Sequence, residues 1–336
     1  MLFLLPLRGL TAALALWLVF CLCGDGAARA SSDSPVCSDG RQLLIPAAEK
    51  SQVAQIFEGL APLWQGKTGS SLRISHHPGR GGSYALRDLL LEKANGCTFA
   101  GVVLPSFFYQ IADPDSMIGK DEISLCAVAA QAHNALWVAA DSPFRNWPEF
   151  LAHARLLAQD PAALLLVAGT GRYSDQHMAT LQLNRAAGIK TQYSPFLGSV
   201  EAAQAVRSGA ALAFWAYALN PDDMPDMRPL ALAAETRSSL MPDTPTFKEM
   251  GVDCTNAACF GLALPASLSQ KQQKALHKAL VLDTAAQSGA AVPGLEILTI
   301  RADSLPIFVN QFAVRAEADL DEYPMLPALS LFPAFP

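Results

Sequence analysis

The stretch Leu164–His177, LLLVAGTGRYSDQH, sets an apolar run of strand length before Gly169-Thr170-Gly171, and polar residues that open a helix follow it. That order builds an anion site from main-chain N–H groups, because the first turn of a helix leaves its donors unpaired and its dipole favours negative charge. Glycine lets the backbone approach a ligand with no Cβ in the way. Other chemistries find less support. No cysteine spacing fits a zinc site. His76 and His77 are adjacent, so on a strand they face opposite ways, and no third ligand accompanies them. No nucleophile–base pair is evident. The expectation is a chain that is not an enzyme and needs no cofactor or metal.

The elements around this loop alternate. Strand-like runs stand at 42–46, 72–75, 99–105, 123–130, 135–140, 163–168, 230–234, 260–265 and 295–300, with amphipathic segments between several of them. Ser199 is placed to cap VEAAQAVRS, Thr246 and Glu249 have capping-box spacing before Gly251, and 267–282 predicts a solvent-facing helix. Such alternation indicates parallel sheets covered by helices, and 336 residues favour two domains over one.

Bulk composition narrows the class. Hydrophobic residues make up 51% and charged residues 16%, and the net charge of −6 with no basic stripe excludes a nucleic-acid partner. Arg8, the apolar run Leu10–Cys23 and AARA ending at Ala30 predict a secretory signal peptide over residues 1–30, cleaved near Ala30. Its removal takes away Arg8, Arg29 and Asp25, a net +1, so the charge goes from −6 to −7. Five cysteines then remain for an oxidising compartment, and Cys254 with Cys259, close in sequence, is the expected disulfide.

Four stretches in consistent order across 41–320 resemble the substrate-binding receptors of tripartite tricarboxylate transporters, the Bug receptors. RPLALAAETRSSLMPDTPTFKEMG (228–251) is similar to the family's strand followed by Pro-Asp-x-Pro-Thr-x-x-Glu-x-Gly. CFGLALPASLS (259–269) resembles its aromatic-Gly-Leu strand, HPGRGGSYALRDLLLEKANGCTF (77–99) its Pro-Gly-x-Gly-Gly turn, and SPFLGSVEAAQAVRSG (194–209) its Pro-Tyr-x-Gly-Ser loop and helix. The resemblance implies an α/β fold of type II-like periplasmic binding proteins: two lobes, each a mainly parallel sheet with flanking helices, and a discontinuous first domain. Lobe 1 would comprise 31–131 and 252–336, and lobe 2 residues 132–251.

The implied role is capture of a small carboxylate-bearing organic acid in an interlobe cleft, in the periplasm, for membrane permease subunits. Two alternatives stay open: the same fold signalling to a membrane sensor, with the apolar tail 323–336 as a contact, or a secreted hydrolase. In the second lobe, Gly169 and Gly171 match the family's Gly-x-Gly, His177 falls near its helix-borne His with two extra residues in the loop, and Arg172, Tyr173 and Ser174 are the side-chain candidates beside them. Phe196, Gly198 and Ser199 form a second set, and Trp215 and Tyr217 would make an aromatic wall. The first-lobe loop departs from the family. IPAAEKSQVAQ (45–55) has Glu49-Lys50-Ser51 where Pro-Gly-Gly is usual, which makes Ala48, Glu49, Lys50 and Ser51 the residues expected to face the ligand.

Overall fold

The computed structural model describes residue 37 and residues 40–113, 115–119, 121–160, 163–282, 292–301 and 303–323. The signal-peptide reading of 1–30 and the tail beyond Tyr323 lie outside the described residues. The strands are β1 (Arg41–Ile45), β2 (Leu72–His76), β3 (Thr98–Leu104), β4 (Ile123–Ala139), β5 (Leu166–Thr170), β6 (Gln192–Phe196), β7 (Ala213–Tyr217), β8 (Met227–Leu232), β9 (Ala257–Pro265) and β10 (Glu296–Ile297). The α-helices are α1 (Gln52–Thr68), α2 (Ser83–Leu91), α3 (Ser106–Ile111), α4 (Trp147–Leu157), α5 (Asp175–Ala187), α6 (Ser199–Arg207), α7 (Gln270–Leu280) and α8 (Leu305–Glu322).

The strands run β2-β1-β3-β9-β4-β7-β5-β6, with β10 and β8 also paired to β4. Pairing is parallel where a helix crosses between strands: β1 with β2 and β3, and β5 with β6 and β7. It is antiparallel where β9 meets β3 and β4, and where β4 meets β7 and β8. The two lobes therefore share one strand. β4 pairs with β9 from Ile123 to His133 in the first lobe, then with β7 from Asn134 to Trp137 in the second. Two runs separated by Gln131, His133 and Asn134 in the sequence are this one strand.

Each lobe has its own core. In the first, α1 lays Ile56, Phe57, Leu60 and Trp64 on the sheet, and the Trp64 indole donates to Leu280 O at 3.2 Å. Gly101 makes that approach possible, since a Cβ there would lie 2.7 Å from the Phe57 ring. In the second lobe, Trp147, Phe150, Trp215 and Phe247 pack together. Helix α8 packs against α3, where Tyr109 OH donates to Asp319 Oδ2 at 2.6 Å, and Arg185 of α5 pairs with Glu322. Helix α8 thus touches both lobes. Among the described residues, no helix is long and apolar enough to cross a membrane.

The expected Cys254–Cys259 bridge is not formed. The disulfide joins Cys37 to Cys97, while Cys254 and Cys259 are buried free thiols. Cys259 sits on β9 with the Gln131 amide beside its sulfur, whereas Cys254 belongs to the second-lobe core, so closeness in sequence does not bring the two together.

Candidate functional site

A cleft of about 1030 Å³ lies between the lobes. Four helix N-termini contribute to its walls: α1 and α2 from the first lobe, α5 and α6 from the second.

At α1, Ser51 caps the helix by accepting from Ala54 N at 3.2 Å and donates to Ala48 O at 2.7 Å. Lys50 before it takes φ 64°, the left-handed conformation that glycine would adopt more readily. Ser51 is buried and lines the cleft, whereas Glu49 and Lys50 are exposed; none of Ala48, Glu49 and Lys50 contributes to the lining. Gln52, which no sequence pattern singled out, clasps β7 instead. Its Oε1 accepts from Tyr217 N at 2.8 Å, its Nε2 donates to Tyr217 O at 3.1 Å, and its main-chain N–H donates to Ser199 Oγ at 3.0 Å. That one residue ties both lobes.

At α5, Ser174 caps the helix, accepting from His177 N at 3.1 Å, and pairs with Tyr193 OH at 3.0 Å. Tyr193 OH lies 3.0 Å from Gly171 O as its donor and presses close to Gly169. His177 stacks on Tyr193 with centroids 4.5 Å apart and lies under the loop, outside the lining; burial pulls its pKa down to about 4. Tyr173 also turns away, into a cluster with Tyr109 and Met178, and its hydroxyl accepts from Arg172 at 2.8 Å. Gly171, Arg172 and Ser174 line the cleft, as do Phe196, Gly198, Ser199 and Tyr217. Gly169 does not. Trp215 is buried in the second-lobe core with its indole donating to Thr180 Oγ1 at 2.9 Å, so the aromatic wall reduces to Tyr217.

The loop Gly79–Gly82 completes the first-lobe wall and touches the second lobe. A Cβ on Gly171 would lie 3.0 Å from Gly81 Cα, and Gly171 itself has φ 72°. Gly171→Val is therefore expected to strain the turn by about 1–3 kcal/mol and to wedge the lobes apart. Small-angle scattering should report a larger radius of gyration, and an unchanged radius would overturn the contact.

Asp175, buried at the first turn of α5, lies at the floor. It accepts from Asn134 Nδ2 at 2.6 Å, Ser106 Oγ at 3.1 Å and Tyr217 OH at 3.4 Å, and its N–H donates to Ser106 Oγ at 2.8 Å. Burial raises its pKa, against the pull of those donors. Gln176 beside it accepts from Thr170 N at 2.8 Å. The local sequence around Ser174 and Asp175 gives no hint of this network, because Ser106 and Asn134 arrive from far along the chain. The lining includes Arg80 and Arg172, both at the end where Gly81 meets Gly171. Among the described residues, no group of three or more metal-ligating side chains comes together.

The pattern that describes the Tripartite tricarboxylate transporter family receptor matches residues 100–296. A protein of Cupriavidus necator described as "UPF0065 protein in gbd 5'region" is 24% identical over 216 residues, which are 63% of this chain and 64% of that protein. The chain thus spans a little under two thirds of that relative. Among solved structures, MatC of Rhodopseudomonas palustris with bound malate has a TM-score of 0.70 at 19% identity, covering 84% of this chain and 98% of MatC. A second R. palustris protein, with adipate, gives 0.72 at 19% identity over 84% and 96%.

Proposed function

The chain belongs to the tripartite tricarboxylate transporter receptor family, and from that membership we propose that it captures a small carboxylate-bearing organic acid between its lobes and presents it to membrane permease subunits. Four helix N-termini at one interlobe cleft, with Arg80 and Arg172 among its lining residues and the Arg172 guanidinium over the Tyr173 ring, carry this reading. Hydrogen bonds to a charged acceptor contribute roughly 1.5–3 kcal/mol each, and helix dipoles add about 0.3–1 kcal/mol each. A chain of net negative charge still holds an anion on such terms, because local donors decide. Malate and adipate in the similar structures belong to the same ligand class. In this reading lobe 1 comprises 31–131 and 252–336 and lobe 2 residues 132–251, and the protein works in the periplasm, where the Cys37–Cys97 bridge persists.

The test is a thermal-shift panel of mono-, di- and tricarboxylates. An acid present at about 100 times its Kd stabilises by about 2.7 kcal/mol. Arg172→Ala and Arg80→Ala are each expected to weaken that acid roughly 10- to 100-fold. A flat response across the panel would overturn the receptor role.

A further inference from the structure

The cleft is larger and more lopsided than a small diacid requires. Its volume of about 1030 Å³ stands at the top of the ~300–1,000 Å³ range that encloses drug-sized ligands. From the N-terminus of α6 it continues as a furrow between that helix and the edge strand β6, as far as Ser208 and Ala210. Ser199 to Ser208 spans about 13 Å at the helical rise.

The two ends differ in charge. Arg80, Arg172 and the helix N-termini stand together at one end. Along the furrow the walls are Leu166, Phe196, Val200 and Ala205, with neutral Gln204 and Ser208, while Glu201 on the first turn of α6 holds its carboxylate beside Gly198 at the head of the furrow. The far end is the C-terminus of α6, where the helix dipole is negative. Arg207 on that last turn is taken up by a two-bonded pair with Asp226 and does not line the furrow. Leu197 and Val200 at the rim stay 67% and 47% exposed, an apolar surface continuous with the cleft.

We infer that the preferred ligand is a monocarboxylate with an uncharged, mainly apolar body: the acid head sits at Arg80, Arg172 and the helix N-termini, and the body lies along the α6–β6 furrow. This rests on the receptor reading and narrows it. A second carboxylate at the far end would meet the negative end of α6 with no lining cation to answer it.

Calorimetry with linear alkanoates from butyrate to octanoate, beside alkanedioates of matching length, tests the assignment. Affinity for the monoacids should rise about fourfold per added methylene, and each dioate should bind more weakly than its monoacid. Gln204→Trp, at an exposed helix position that tolerates bulk, should cut the octanoate-to-butyrate affinity ratio at least tenfold. Val200→Glu at the rim should do the same, so one poorly folded variant does not end the test. Dioates that equal or exceed the monoacids, or ratios untouched by both variants, overturn the inference and leave the receptor role intact. No binding of any acid overturns both.

Discussion

Replacing Cys37 and Cys97 by serine is expected to cost about 4 kcal/mol of stability. The bridge spans a sequence separation of 60, a loop that takes in β1, α1, β2 and α2. Closing so long a loop removes many conformations from the unfolded chain, and the gain grows with the logarithm of loop length. The bridge sits where β1 and β3 start as neighbours: Gln42 N donates to Cys97 O at 2.8 Å, and Gln42 is in register with Thr98. Both first-lobe cleft turns, Pro46–Gln52 and Gly79–Gly82, fall inside the loop. Their positions depend on the strands that the bridge staples. Urea titration of the oxidised protein against the double serine variant measures the loss, and acid affinity should fall with it as the folded fraction drops. Equal midpoints would show that the bridge contributes nothing.

The strands were largely legible because a strand covered on both faces by helices reads as an unbroken apolar run. The exceptions are β4, β6 and β7, whose AFWAY is not among the strand-like runs. β4 reads as two apolar runs because Gln131, His133 and Asn134 interrupt it, and those are the residues at the passage between lobes. Asn134 is fully buried there and bonds Asp175 and Asn256. β6, QYSPF, carries Ser194 and Pro195 and does not stand out as an apolar run; as the edge strand it tolerates a proline.

The second-lobe loop was legible from its glycines, whose requirement is local. Gln52 and Asp175 were not, since their partners lie 41 to 165 residues away in sequence. Strand alternation places Trp215 and Tyr217 on one face of β7. What separates them is position along the strand: Trp215 lies over the lobe core, and Tyr217 lies at the end that meets Gln52. In the first-lobe loop no glycine is present to make the turn. Lys50 adopts the left-handed turn itself, which swings Glu49 and Lys50 to solvent and leaves Ser51 facing in.

Asp175→Ala should be as damaging as loss of the disulfide. It strips the acceptor from Asn134, Ser106 and Tyr217 in a buried site, and each orphaned group costs about 1–3 kcal/mol, for a total on the order of 4 kcal/mol. Ser106 belongs to the first lobe and Asp175 to the second, so interlobe closure should suffer as well. Asp175→Asn separates charge from shape. Burial, working against the Asn134 and Ser106 bonds, holds the folded carboxyl above its ordinary value. The folded protein therefore takes up that proton more readily than the unfolded chain. The stabilisation is fully present below the unfolded value of about 4 and is lost as pH rises through the raised folded value. Wild type minus Asp175→Asn stability should accordingly rise as the pH falls from 7 to 4. His177 runs the other way: burial lowers it to about 4, and its contribution is lost as pH falls from the unfolded value of ~6.5 toward that point. Both proteins carry His177, so the difference curve isolates Asp175. A flat curve would mean that the carboxyl titrates as it does in the unfolded chain, and the buried network at the cleft floor would then need another account.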